Sequence, residues 1–302
     1  SMIYAIISVN DQINALIQNN TIDTQATADR GQICVRSSGV NMGTLHIVGN
    51  TLRSRSDLFV ISIGTDTYGS GSTKLNGAII ENNTLYGPIY FNPTLVGSQT
   101  HGIYYSQNIN GIIRYNTIVG MGMGIVIKGT GESYTSGGVY YNKIINSNGV
   151  ASIRIKGAQA VPVYNNTIYS NSTLTGSLIY ITNYNPGVGQ LGGAIVKNNL
   201  LYGSNCLGIS VDEESVAGFS SDNNLFYRNT GTNIGTVGLT TYSSFNSWKL
   251  AGYDTHGVNV NPLFLNLNSN DYRLLKASPA INNGVDLGFI RDAIGTSVPQ
   301  GT

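Results

Sequence analysis

Charge is scarce in this chain. Asp, Glu, Lys and Arg make up 10% of the 302 residues, against roughly 25% in an ordinary soluble domain. The 16 basic and 15 acidic side chains leave a net charge of +1, which argues against a nucleic-acid binder, since that needs a basic footprint. Cys34 and Cys206 are the two cysteines, too few for a disulfide framework. No apolar run approaches the ~20 residues of a membrane span, and no signal peptide opens the sequence. The leading Ser1-Met2 reads as an expression scar, so a larger parent protein with its own targeting segment is expected. His46, His256 and the cysteines have no partner at metal-ligand spacing, and no metal site is assigned. What is plentiful is Gly (38), Asn (36) and Tyr (19), over a hydrophobic content of 41%. That content supports a core and excludes a disordered chain. The polar, charge-poor remainder suits an extracellular, secreted or virion-surface protein.

A short motif, Asn-Asn-Thr-Ile or a relative of it, recurs along the chain. Its second residue falls at Asn20, Asn50, Asn83, Asn116, Asn142, Asn166, Asn199 and Asn224, with steps of 30, 33, 33, 26, 24, 33 and 25 residues. A fixed motif at variable spacing is a constant structural unit with loops of variable length. Each unit carries two short runs that alternate with period 2, such as Gly111-Ile112-Ile113-Arg114-Tyr115 and Gly124-Ile125-Val126-Ile127-Lys128, the signature of strands. No segment combines a 3.6-residue period with helix caps. Strands this short bury a face only by stacking as coils of a solenoid. The motif Asn is expected to tolerate a left-handed turn and to bond the Asn one coil away, about 4.8 Å off.

These features resemble the right-handed parallel β-helix proteins, the broad group that includes pectate-lyase-like enzymes. The resemblance spans roughly residues 3–290. Near the C-terminus, Asp222-Asn223-Asn224-Leu225-Phe226, Trp248, Asn261-Pro262-Leu263-Phe264, Asp271-Tyr272-Arg273-Leu274 and Ser278-Pro279-Ala280-Ile281 are similar to the segment that closes the last coil in many such proteins. The expected fold is all-β: a solenoid of about 8–10 coils with three parallel sheets and an irregular C-terminal cap. Residues 1–229 are read as coils and 230–302 as a loop-rich excursion and cap of the same domain. Residues 3–18 are read either as an unusual N-terminal cap or as coil already under way.

Parity on the strand after each motif assigns Ile103/Tyr105, Ile125/Ile127, Ile153/Ile155, Ile179/Ile181 and Ile209/Val211 inward. Tyr104, Lys128, Arg154, Lys156, Tyr180, Ser210 and Asp212 then face outward, with Lys128 and Lys156 in one column and Arg154 beside them. Between residues 82 and 211 there are six cations and one carboxylate, Glu132. Two readings stay open: a groove for an anionic chain with tyrosine faces for sugar rings, or an edge kept soluble by its charges. His101 lies at the mouth of the same face as a base, an acid or a turn cap. Glu132 sits in a Gly/Ser/Thr-rich loop at 129–138 that is expected either to fold over the groove or to be solvated. The tyrosines at 86, 169, 202 and 227 recur at a repeat position and read as a structural stack. Asp212-Glu213-Glu214 is the one carboxylate run, read as a solvated loop with Ca²⁺ as the open alternative. Cys34 and Cys206, some six coils apart, are too distant for a disulfide.

Glycoside hydrolysis normally needs two facing carboxylates. The resemblance implies an Asp cluster for a polygalacturonase-like enzyme, and this chain lacks it, retaining only the echo Arg154-Ile155-Lys156. A lyase needs cations on a uronate carboxylate and a base for the neighbouring proton. On that reading Lys128 or His101 is the base, Arg154 and Lys156 hold the carboxylate, and Tyr104 is acid or stacking platform. Tyr180, Arg114 and Glu132 are expected to line the substrate. Similar alginate- and chondroitin-type lyases hold Ca²⁺ through Glu residues where this chain has Met121 and Met123. The expected function is therefore an acidic-polysaccharide lyase, with a glycan-binding or structural solenoid and a glycoside hydrolase as alternatives. An ice-binding solenoid would need a regular Thr ladder.

Overall fold

The computed structural model describes residues 6–10, 14–24, 31–36, 44–55, 59–64, 75–92, 100–171, 176–183, 192–228, 233–292 and 297. Its β-branched residues sit where a pleated, buried surface suits them. Ile33, Ile61, Ile103, Ile125, Ile153, Ile179 and Ile209 form one inward column, each 0% exposed and paired residue for residue with the next coil. Val35, Ile63, Tyr105, Ile127, Ile155, Ile181 and Val211 form the second. Each full coil supplies three strands, as in His101–Ser106, Ile112–Arg114 and Thr117–Val119. Stacking them gives sheets of ten, eight and nine strands, called here the first, second and third. Within these three sheets the pairing is parallel except where Thr240–Tyr242 turns back on Gly235–Val237, and Phe264–Asn266 pairs antiparallel with Asp271–Leu274 in a separate two-stranded sheet. The fold is a parallel β-helix, and the strand counts match the expected 8–10 coils.

The motif Asn turns out to divide its expected work with the residue before it. The left-handed backbone falls on Asn19, Gly49, Asn82, Tyr115, Tyr141, Asn165, Asn198 and Asn223, with φ between 51° and 69°. The following Asn turns inward and builds a ladder. From Asn20 to Asn224, each Nδ2 donates to Oδ1 of the next motif Asn at 2.9–3.0 Å. The ladder is buried from Asn50 upward.

It ends on an acid. Asp254 Oδ1 accepts from Asn224 N and Nδ2, while Oδ2 accepts from Trp248 Nε1 and Ser221 Oγ. All four partners are donors, so an acceptor-only carboxylate fits where an amide would not. Burial raises the Asp254 pKa above its ordinary value, opposed by those hydrogen bonds. A raised folded-state pKa makes the contribution to stability greatest at low pH and lost as pH climbs through the folded value. Asp254→Asn must aim its amide at one donor pair. It should lose about 1–3 kcal/mol at neutral pH in chemical denaturation, and lose that pH slope.

The coils do not stop at 229. Gly235–Val237 pairs with the strand Leu207–Val211, and Val258–Asn259 pairs with Leu225–Arg228. The helix Phe245–Leu250 then lays Trp248, 0% exposed, over Phe226, Tyr242 and Tyr253. Trp248 is thus the plug of the last coil. The later motif does something else: Phe264 and Tyr272 pack back onto the Tyr169 and Tyr202 rings of the third sheet, covering the tyrosine stack. Beyond it the chain descends along the left-handed turns. Asn223 Nδ2 donates to Asn283 O, Asn198 exchanges two bonds with Val285, and Phe289 meets Tyr164, Tyr141 and Tyr140. This strap explains why Tyr115 and Tyr141 hold a conformation that usually goes to Gly or Asn: their rings meet each other, and Phe289 packs on Tyr141.

The proposed N-terminal cap falls partly on residues outside the described set, but Ile7–Asn10 and Ala15–Gln18 already pair as strands of the first and second sheets. Cys34 and Cys206 are both buried and unbridged. Threonines do form one column of the third sheet, Thr21, Thr51, Thr84 and Thr117 in register, interrupted by Lys143.

Candidate functional site

The outward face of the first sheet carries the candidate site. Its strands do not alternate strictly. In His101–Ser106 both Gly102 and Ile103 are buried, and a Cβ on Gly102 would run into Gly124 O and Ile118 Cγ2 in the interior. Only glycine fits there. His101 is half-buried and its ring lies with the outward Tyr104, although period 2 alone places it with Ile103. Its ring stacks on Phe59 at 5.0 Å and meets Tyr104 edge-on at 5.4 Å, and Phe59 closes the triangle with Tyr104 at 4.8 Å.

Two outward columns run up from this aromatic cluster. One holds Tyr104, Val126, Arg154 and Tyr180 in register, and the other Ser106, Lys128, Lys156 and Thr182. The parity expected for these five strands therefore holds. Lys128 Nζ lies 6.0 Å from the Tyr104 ring centre, and the Arg154 guanidinium 5.3 Å from that of Tyr180, within reach of cation–π attraction. Val126 faces outward yet is 3% exposed, so the side chains flanking it shut out water. Among the described residues no carboxylate pairs with Arg154, and its buried Nε has no hydrogen-bond partner. Three cations thus share two adjacent coils, with strand spacing of about 4.8 Å.

Asp212 closes the upper end. Tyr180 Oη donates to its Oδ1 at 2.8 Å and Thr182 Oγ1 to its Oδ2. Burial raises the Tyr180 pKa, and the bond to Asp212 adds to the shift, so the phenol stays protonated at neutral pH. Parity places Asp212 outward, while its neighbours Glu213 and Glu214 give the run the pattern of a solvated loop. In the structure those two are exposed in a short 3₁₀ turn, and Asp212 alone joins the sheet face. Among the described residues no group of three or more His, Cys, Asp or Glu stands together as a metal site. Next to Asp212 a cavity of about 640 Å³ opens, bounded by Tyr180, Ser210, Cys206, Arg228 and Thr236.

Not every candidate arrives here. Arg114 belongs to the second sheet, where its Nε donates to Glu81 Oε2 at 2.7 Å beside His46, itself 3.0 Å from Glu81. Glu132 accepts from Thr130 N and Oγ1 within its own loop. That loop does not fold over the groove as a lid but continues the coil: Gly131 N donates to Gly157 O and Gln159 N to Glu132 O. The flanking loops at 92–100 and 183–192 lie almost wholly outside the described residues.

No protein-family model matches the chain, no curated protein is similar to it, and no solved structure matches it.

Proposed function

We propose that the protein binds an acidic polysaccharide across the first sheet and cleaves it by β-elimination at a uronate, in the manner of the pectate-lyase-like enzymes it resembles. The observation that carries this is Arg154, half-buried, with a buried Nε that has no hydrogen-bond partner and no carboxylate paired with it among the described residues, beside Lys128 and Lys156 in register on adjacent coils. A half-buried guanidinium is costly unless an anion offsets it. A uronate carboxylate would accept from Arg154 and Lys156, which also stabilise the charge that develops when the adjacent carbon loses its proton. Lys128, next to Tyr104, first gives up its own proton to solvent and as the neutral amine takes the proton from carbon, with His101 as the alternative base. The C–O bond at the 4-position then breaks, leaving a double bond in the uronate, and Tyr104 returns a proton to the departing oxygen. Hydrolysis is disfavoured because cations dominate the face and Asp212 already accepts two hydroxyls. An extracellular or virion-surface location follows from the same reading.

The test is incubation with pectate, alginate and glycosaminoglycans, with and without Ca²⁺, followed by the ultraviolet absorbance of the unsaturated uronate. Product should form with at least one polymer, and Lys128→Ala should slow it by about 100-fold or more, the usual worth of a positioned base. If His101→Ala alone has that effect, the base is His101. Binding without product on any polymer would replace the lyase by a glycan-binding solenoid.

A further inference from the structure

The cavity above Tyr180 differs in charge from the stripe below it. Lys128, Arg154 and Lys156 bring three positive charges to the lower coils. The cavity holds one carboxylate, Asp212, and one guanidinium, Arg228, and so is neutral as a whole. The rest of its polar lining is uncharged and includes Ser210 and Thr236. Arg228 is held against Asn233 O through Nη1, and its buried Nε has no hydrogen-bond partner. Cys206 forms a wall with its thiol pushed up to about 12 by burial, so it stays protonated and unreactive. Tyr180 is shared: Arg154 lies against its ring and Asp212 takes its hydroxyl. From Lys156 the column runs to Thr182, and Asp212 lies one coil further, bonded to Thr182. That is about 10 Å at the inter-strand spacing.

We infer that the cavity receives an uncharged sugar, so that the ligand is a polysaccharide alternating acidic and neutral units; this rests on reading the basic stripe as a uronate site. A chain that seats a uronate on Arg154 and Lys156 and continues upward brings its next unit to Asp212. A second uronate there would set carboxylate against carboxylate, and repulsion at contact distance in a partly desolvated site outweighs any gain. A neutral ring instead offers hydroxyls that donate to the free lone pairs of Asp212 and accept from the Arg228 guanidinium that lines the cavity. These are the few placed polar groups that orient a ligand in a pocket. A homopolymer of uronates satisfies the stripe and is rejected by the cavity, the repulsive element that specificity requires.

The experiment is titration calorimetry of the full chain with two probe sets. One is polygalacturonate and alginate, in which every unit is a uronate. The other is hyaluronan and unsulfated chondroitin, in which a uronate alternates with a neutral amino sugar. An alternating probe should bind at least about fivefold more tightly than either homopolymer. Asp212→Asn removes the repulsion and should raise homopolymer affinity by about fivefold. Ser210→Trp fills the cavity on an outward column and should weaken the alternating probe by about tenfold while leaving the homopolymers unchanged. Both variants are to be compared at equal melting temperature. Equal binding of the two sets in the parent protein, with no response to Asp212→Asn, would overturn the neutral subsite and leave the uronate stripe standing. Binding of neither set would overturn the stripe itself.

Discussion

Asn142→Asp should destabilise the protein by about 5 kcal/mol or prevent folding altogether. Asn142 is 1% exposed. Its Nδ2 donates to Ile113 O at 2.8 Å, Tyr140 O at 3.0 Å and Asn166 Oδ1 at 3.0 Å, and its Oδ1 accepts from Asn116 N and Nδ2. Aspartate keeps the accepting edge but turns a second oxygen toward three oxygens. Each buried acceptor left without its donor costs about 1–3 kcal/mol, and a buried charge without a counter-charge adds to this. Protonating the acid restores one donor but not the others. Asn146→Asp is the control on the same coil. Its side chain accepts from Asn171 N at the surface, which a carboxylate does equally well, so the loss should stay within about 0.5 kcal/mol. Denaturant midpoints of the two variants decide the matter. Equal losses would mean that the ladder is a by-product of stacking and not a determinant of it. The contrast with Asp254 sharpens the point. The same two side chains are exchanged in opposite directions at two levels of one ladder, and both exchanges fail, because Asn142 meets acceptors and Asp254 meets donors.

The ladder was legible because it is periodic. Once the motif Asn residues are aligned, the period-2 strand that follows each of them can be matched coil to coil, and its own pattern sets Ile125 over Ile103 and Lys156 over Lys128. The same arithmetic aligns Glu81 with Arg114, 33 residues apart, and so accounts for the ion pair that keeps Arg114 out of the groove. What the pattern hides is what breaks the repeat. His101 joins the outward Tyr104 against its period-2 parity, and only the close approach of Gly124 O and Ile118 Cγ2 shows why the next position is glycine. Tyr115 and Tyr141 occupy left-handed turns where Asn or Gly is expected, because Phe289, about 150 residues later in the chain, packs against that turn row. Asp212 stood in the right column, but its identity as part of the face depends on the Tyr180 and Thr182 hydroxyls, which belong to the coil below. Repeats expose what each coil shares, whereas a site is made of what single coils do not share.

Arg154→Met should separate binding from folding at the centre of that site. The substitution keeps a long flexible side chain beside Val126 and against the Tyr180 ring, and it removes a half-buried guanidinium whose Nε lacks a partner. Replacing a buried charge by an apolar group of similar volume is often neutral or stabilising. The melting temperature is therefore expected to hold or to rise. Affinity for a uronate polymer should move the other way. A charge-assisted pair in a desolvated site is worth about 2 kcal/mol or more, or roughly 30-fold in affinity. Arg154→Lys retains the charge but not the planar fork that grips a carboxylate with two parallel bonds. It should fall between the parent and Arg154→Met in affinity, and below the parent in stability because the stacking on Tyr180 is weaker. A loss of stability in Arg154→Met with unchanged affinity would make Arg154 a packing element of the first sheet. The opposite pair of results marks Arg154 as a half-buried guanidinium held for a ligand, and the carboxylate of an anionic chain lying across Lys128, Arg154 and Lys156 is a ligand of that kind.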